Sequence, residues 1–364
     1  MAIKEIAVIG GGNGALTTAG DMALAGFNVR MWTAFPEEYG DLYETRTVKL
    51  RGLGRTGDAR ISVVSRDIEE AVSGADVICS PSPAFSQQNV AEHLAPHIED
   101  GQIFFLSPGS MGGYIFSKTF RDKGIDRDVA VAEPGTLPYL TRKSGLNEVL
   151  VSGHAVRQPV GVFPARKTEE AVERLREIYP AVHPVENALS IALLNVGPII
   201  HSCLVLLNTG PIEHFDAWDI HNEGTTASVK KLILAHDEER IAVRRSLGFK
   251  SHHYPFSDHY DQESENPWMY GRKAHTDLVK SESWRESLDF NHRYIQEDVK
   301  CNLALITSIG KFAGTEMPIA NSLLTLLGAI VGEDFRKTGR TLETLGLGGL
   351  EKEKMERLLL EGLQ

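Results

Sequence analysis

Close to its start the chain reads Ile6-Ala7-Val8-Ile9-Gly10-Gly11-Gly12-Asn13-Gly14-Ala15. Four strand-forming residues run into glycines spaced G-x-G-x-x-A, and a helical pattern over 16–25 follows. This order predicts the first turn of a βαβ unit that binds a dinucleotide. Gly10 permits the tight turn, Gly12 lets the backbone approach a pyrophosphate, and Ala15 lets the helix pack close to the strand. The phosphates then rest on the N–H groups at the helix start. Gly10, Gly12, Asn13, Gly14 and Ala15 are therefore the expected cofactor contacts. A plain strand-to-helix turn also uses glycine, but a placement between strand and helix favours binding.

Further along, short β-branched runs alternate with helical patterns. Strands are expected at 29–32, 61–64, 76–79, 103–106, 129–132, 149–151 and 160–163. Strands separated by helices pair in parallel, with helices on both faces of the sheet. The first half is thus expected to be a Rossmann-type α/β domain, a doubly wound and mostly parallel sheet over 1–186. Ligands of such sheets bind beyond the carboxyl ends of the strands. The segments there, 80–85, 107–113 and 133–139, are rich in Gly, Pro and Ser, as loops lining a flat cofactor should be. Thr33, at the end of the strand over 29–32, and Pro83, in the first of these loops, are further expected cofactor contacts.

After about residue 187 the strand pattern gives way to helices, so an all-α second domain is expected over 187–364. Asn187 suits the cap of a helix whose apolar positions include Leu194, Ile200, Cys203, Leu204 and Leu207. The apolar run 191–207 also contains Asn195, Pro198, His201 and Ser202, and reads as a buried helix rather than a membrane span. Pro198 should bend that helix one turn before His201. Further helices are expected at 226–247, 296–310, 319–331 and 351–360.

The 364 residues carry a formal net charge of −11, which argues against nucleic acid or an anionic membrane surface as partner. Cys79, Cys203 and Cys301 follow no metal or disulfide spacing and read as buried, reduced thiols of a cytoplasmic protein. A strand beginning near residue 3 leaves no expected signal peptide. No metal site is expected: His252, His253 and His259, among Tyr254, Phe256, Tyr260 and Trp268, read as an aromatic-rich loop bordering a substrate pocket. The run Asp237-Glu238-Glu239-Arg240 reads as a solvated helix face.

His201 on an apolar helix is ordinarily a satisfied core histidine. A second segment, Asn291-His292-Arg293-Tyr294-Ile295-Gln296-Glu297-Asp298-Val299, supplies an aspartate able to orient and charge-stabilise it. Arg293 offers a planar fork for a carboxylate. On an α-helix residues five apart do not share a face, so Arg293 and Asp298 can meet only if Arg293 precedes the regular helix. From these residues alone a surface salt bridge competes evenly with a functional site.

The glycine turn, Pro83-Ala84-Phe85, Leu137-Pro138-Tyr139, the stretch from Asn195 through Gly197 and Pro198 to His201, Glu223-Gly224-Thr225 and the segment from Arg293 to Val299 occur in an order that resembles the opine dehydrogenase family. The resemblance spans essentially the whole chain. It implies a Rossmann domain, a helical domain and an active site between them, with NADH or NADPH reducing the condensation product of an α-keto acid, pyruvate by default, and the amine of an amino acid. It also implies His201 as the catalytic histidine, Asp298 as its partner and Arg293 as the arginine for the substrate carboxylate. Small-molecule substrates and a homodimer are the expected partners.

Two other functions compete. A hydroxy-acid or glycerol-3-phosphate-type dehydrogenase suits the architecture, but such enzymes use a lysine that 189–201 lacks. A non-catalytic dinucleotide sensor would have no use for His201, Arg293 and Asp298 together. The choice between NAD and NADP stays open, because Thr33 stands where an acid usually binds the ribose. Glu37 and Glu38 come late, and the basic positions Arg46, Lys49, Arg51 and Arg55 read as a solvated loop.

Overall fold

The computed structural model describes residues 2–260, 269–271 and 284–363. Its contacts divide into two units, Met1–Ile191 with Arg357–Gln364, and Ala192–Glu356. This differs from the expected division after residue 186 with the whole C-terminus in the second domain. Packing gives the reason. A Cβ on Gly161 would meet the Asn187 carbonyl oxygen and Ile191 Cγ2 at 2.5 and 2.6 Å, so 187–191 press on a strand of the first unit. The C-terminal end belongs there too, with Arg166 Nε donating to the Glu361 carbonyl at 3.4 Å.

The strands of the first unit are, in chain order, β1 (Glu5–Ile9), β2 (Asn28–Trp32), β3 (Thr47–Gly52), β4 (Gly57–Arg60), β5 (Val63–Ser65), β6 (Val77–Ser80), β7 (Ile103–Leu106), β8 (Ala130–Pro134), β9 (Tyr139–Gly145), β10 (Glu148–His154), β11 (Gln158–Phe163) and β12 (Val182–Pro184). The main sheet has the order β12-β11-β8-β7-β6-β1-β2-β5. Its pairings are parallel except β11 with β8. The apolar runs of the central strands follow from burial on both faces. In β1, Ile6 and Val8 join one apolar cluster while Ala7 and Ile9 join another; in β7, Ile103 and Phe105 divide from Phe104 and Leu106 in the same way.

A second sheet, β4-β3-β10-β9, was not expected as such. Residues 149–151 lie in it, as part of β10, rather than in the main sheet. Of the basic positions expected in a solvated loop, Lys49 and Arg51 lie in β3, where Val48 and Leu50 are buried and Lys49 is exposed, while Arg46 precedes it and Arg55 follows it. Arg51 pairs with Asp58 at 2.9 Å and Glu148 at 3.6 Å, and Arg55 with Asp21 at 2.9 Å. The helix Asn13–Leu24 shares its apolar cluster with both sheets through Leu16, Ala19 and Met22. Thr17 bonds Thr141 at 2.7 Å, and Tyr139 donates to Asp21 at 2.8 Å, fixing the helix against β9.

The second unit is built from the helices Gly197–Leu207, Ala227–Ser246, Ala304–Phe312 and Pro318–Val331, and a wide helix Tyr294–Leu303. It is not purely helical, since Trp218–Asp219 and Arg285–Glu286 form a short antiparallel pair. The stretch Ala188–Leu207 is apolar enough to cross a membrane by composition, with hydropathy 1.9, yet 78% of it is buried inside the fold. It is interrupted rather than bent: one helix covers Ala188–Ala192, and the next starts at Gly197 with Pro198 in its first turn. Proline is at home there, where its missing N–H has no intrahelical partner to lose.

The run from Asp237 to Arg240 departs most from expectation, because Asp237 and Arg240 are 2% and 0% exposed. Arg240 Nε donates to Asp237 at 2.7 Å, and its terminal nitrogens donate to the carbonyls of Leu193, His253 and Tyr254. Asp237 also accepts from the Phe256 N–H at 2.6 Å. A buried guanidinium is stable here because a carboxylate and three carbonyls accept its hydrogen bonds. Replacing Arg240 with Met strands Asp237 and the three carbonyls, and should destabilise the fold by about 3–5 kcal/mol. Urea unfolding measures this, and Arg240→Lys should fail to restore it, since lysine lacks the planar fork.

Candidate active site

His201 lies one turn into the helix that begins at Gly197, and Asp298 lies midway along Tyr294–Leu303. The structure brings them together, with His201 Nδ1 2.8 Å from Asp298 Oδ2. Both side chains are nearly buried, at 12% and 9% exposure. The helix start is shaped for this contact. Asn195 Oδ1 accepts from the Gly197 N–H at 3.0 Å, and a Cβ on Gly197 would collide with Asp298 Oδ1. Gly197 is therefore required by close approach of a carboxylate, a role that its sequence neighbours do not announce.

Arg293 immediately precedes the helix Tyr294–Leu303, which is a π-helix with hydrogen bonds reaching five residues along the chain. That wide turn makes a five-residue spacing equivalent to roughly one turn. Arg293 thus precedes the regular helix, as a meeting with Asp298 requires, and the wide turns shorten the angular offset between them. The Arg293 guanidinium is half exposed and lies 3.9 Å from Glu297. Burial pushes the Asp298 carboxyl up to about 7, while the nearby charges of Arg293 and His292 lower it.

Aromatic and imidazole groups complete the surroundings. The Tyr294 ring stacks on His201 at 4.0 Å between centroids, and its hydroxyl bonds His221 Nε2 at 3.1 Å. His221 in turn packs edge-on against Trp284 at 5.1 Å. Tyr294 and His221 were not singled out from sequence. The available signal is that Tyr294 lies within the Arg293–Val299 segment and His221 two residues before Glu223-Gly224-Thr225.

In the aromatic-rich segment, His252 lies 3.4 Å from Asp258 and the His259 ring stacks on Phe256. The backbone carbonyls of His253 and Tyr254 receive Arg240, and Arg244 Nε donates to His253 Nδ1 at 3.3 Å. This segment closes over buried arginines; Trp268 lies outside the described residues.

In the first unit the glycine turn has the shape a dinucleotide needs. Gly10 takes φ +114, a conformation that costs other residues, while its N–H donates to the Trp32 carbonyl at 2.8 Å. A side chain on Gly14 would press on Leu137 and Pro81 at 3.0 Å, and Ala15 is buried in the apolar cluster. Gly12 is exposed, and a Cβ there would meet nothing within 4 Å. No side chain caps the helix start and no acid lies in its first turn, so its positive end is left for an anion. Asn13 is turned to the second sheet, where its Oδ1 accepts from the Lys143 N–H at 3.0 Å. Pro83 closes the loop after β6, its carbonyl accepting from Ser86 Oγ at 2.8 Å. Thr33 is buried; its hydroxyl donates to Glu38 at 2.8 Å and accepts from the Phe35 N–H at 3.1 Å.

Glu133, for which the sequence suggested no role, is fully buried and accepts the N–H groups of Gly112 and Gly113 at 3.0 and 2.8 Å. It satisfies the start of the helix Gly112–Asp122.

Comparison with known proteins decides the family. A model for the α-helical domain of NAD/NADP octopine/nopaline dehydrogenases matches residues 184–331. An opine dehydrogenase of Arthrobacter sp. (strain 1C) is 30% identical over 352 residues, 95% of this chain and 96% of that protein. The chain belongs to the opine dehydrogenase family. Protein ocs of Agrobacterium vitis is 26% identical over 374 residues, covering 98% of this chain and 99% of that one. A solved octopine dehydrogenase, with NADH and L-arginine, has the same fold, at TM-score 0.73 and 19% identity over 99% and 98% of the two chains. Family membership makes the chain an NAD(P)-dependent oxidoreductase. In these terms the first unit of this opine dehydrogenase carries the glycine turn and the second carries the imidazole–carboxylate pair.

The raised Asp298 pKa fixes the sign of a pH effect. Between about 4 and about 7 the folded protein holds a proton that the unfolded chain has released. This group's contribution to stability therefore falls as pH rises through that window. Asp298→Asn should gain stability relative to wild type between pH 5 and pH 8, as measured by urea unfolding at both values; no change, or a loss, contradicts the assignment.

Proposed function

We propose that the protein is an opine-forming enzyme acting on CH–NH bonds, in which His201 is the general acid/base, Asp298 its orienting partner and Arg293 the clamp for a substrate carboxylate. The observation that carries the reading is the 2.8 Å contact between His201 Nδ1 and the buried Asp298. Ionised Asp298 accepts the Nδ1 proton and stabilises the imidazolium, which leaves Nε2 to exchange protons with substrate. Arg293 suits a carboxylate because its five donors form a rigid fork and its side chain is 47% exposed.

The neutral amine adds to the keto carbon to give a carbinolamine. His201 protonates the departing hydroxyl, so water leaves and the protonated imine forms, its nitrogen keeping the remaining amine proton. NADH or NADPH, when bound, supplies the hydride that reduces the imine carbon. The product is a secondary amine, and the reverse direction oxidises it. Pyruvate and an amino acid are the substrates we assign, supported by solved octopine dehydrogenases bound to NADH with pyruvate or L-arginine. A cytoplasmic location is supported by three free and buried cysteines. Homodimerisation is supported by Leu326 and Ile330, which are 50% and 39% exposed one turn apart on the helix Pro318–Val331.

A matrix of keto acids against amines, followed by nicotinamide absorbance, tests the reaction. Oxidation of NADH or NADPH should require both substrates. Reduction of a keto acid with no amine present would instead mark a hydroxy-acid dehydrogenase. His201→Ala should lower kcat by roughly 10²–10⁴-fold while the dinucleotide dissociation constant stays nearly unchanged. An active variant would remove the histidine from the chemistry.

A further inference from the structure

We propose that Glu38 is the specificity-determining residue for the dinucleotide, its carboxylate taking the adenosine ribose hydroxyls and selecting NAD(H) over NADP(H). This rests on the dinucleotide reading of the glycine turn. In sheets of this kind an acid at the end of the second strand binds the ribose. Here β2 ends at Trp32, and Thr33 follows. The backbone then turns through Pro36–Glu38 and brings an acid back to the same place.

Three contacts fix that return. Thr33 Oγ1 donates to Glu38 Oε2 at 2.8 Å. The next residue, Tyr39, is buried and donates its hydroxyl to the Gly10 carbonyl at 3.0 Å. A Cβ built on Gly11 would lie 2.7 Å from Glu38 Oε2 and 2.6 Å from Glu38 Cβ. The carboxylate thus lies against the middle of the glycine turn, in space that Gly11 leaves open. A carboxylate has about four acceptor positions. The single bond from Thr33 leaves capacity for two neighbouring hydroxyls, and it orients the acid to receive them.

The same arrangement disfavours a 2′-phosphate, which would bring about −1.5 to −2 charges against a carboxylate, with Glu37 adjacent. The arginines nearest in sequence are engaged elsewhere. Arg46 donates to the Ser62 carbonyl at 3.1 Å, Arg51 pairs with Asp58 and Glu148, and Arg55 pairs with Asp21. Arg66, whose carbonyl accepts from the Trp32 indole at 3.3 Å, holds its guanidinium over the Tyr43 ring at 4.2 Å.

Isothermal titration of the full chain with ADP-ribose and with its 2′-phosphorylated form tests this without turnover. Wild type should bind ADP-ribose about tenfold or more tightly than the phosphorylated ligand, and Glu38→Gln should weaken ADP-ribose by about tenfold and collapse the preference. Thermal melting confirms that the variant is folded. Equal or tighter binding of the phosphorylated ligand by wild type overturns the proposal, as does a preference unchanged in Glu38→Gln. If Arg66→Ala rather than Glu38→Gln alters the discrimination, Arg66 is the selector and the proposal fails. Failure of wild type to bind either ligand overturns the dinucleotide reading itself. Wild type that forms no opine yet prefers ADP-ribose, with that preference lost in Glu38→Gln, would count against the catalytic reading alone and support Glu38.

Discussion

A carboxylate that is nearly buried must find partners, and Asp298 imposes that demand on the second unit. Its oxygens take His201 Nδ1 on one side and approach the start of the helix Gly197–Leu207 on the other. Three features of the surrounding backbone follow from it. The apolar segment 188–207 breaks instead of running on, so that a helix N-terminus arises inside the unit. Gly197 occupies that N-terminus because a methyl group there would strike the acid. The helix carrying Asp298 is wide, which sets Arg293 about one turn away, near enough for its charge to oppose the effect of burial. Packing that looks like ordinary helix against helix is in these places arranged around one ionisable pair.

Several other helix starts are met by an acid. Glu133 satisfies the start of Gly112–Asp122, Asp67 caps the helix after β5, and in the second unit Glu239 accepts the N–H groups of Ile319 and Ala320. Each places an acid where the helix dipole is positive. The helix Asn13–Leu24 has neither a side-chain cap nor an acid in its first turn. At the glycine turn this bare helix start gives the motif a physical meaning beyond its spacing. A positive terminus with no capping side chain, beside an exposed Gly12, is prepared for an external anion.

Much of this was legible along the chain, for identifiable reasons. β1 and β7 sit between two apolar clusters, so they read as unbroken apolar runs. β3 was missed because it is buried on one face only, and its alternating Lys49 and Arg51 read as a charged loop. Asp237 and Arg240 were misread for a similar reason. A charge run on a helix is ordinarily solvated, and only the carbonyls of Leu193, His253 and Tyr254, distant in sequence, reveal that this one is enclosed. The domain boundary shifted because contacts of Gly161 with 187–191 have no local signature.

The sequence by itself determined the α/β-then-helical order, the glycine turn and the identity of the residues able to act as acid, base and clamp. These depend on composition and local periodicity, which hold whatever the remainder of the chain does. Only the tertiary structure decided that His201 and Asp298, 97 residues apart, share a hydrogen bond. It also decided that five residues of separation amount to one helical turn, and that Glu38 returns to the glycine turn which Thr33 seemed to leave without an acid. Each of these depends on where a backbone changes direction, and that is set by burial against distant partners.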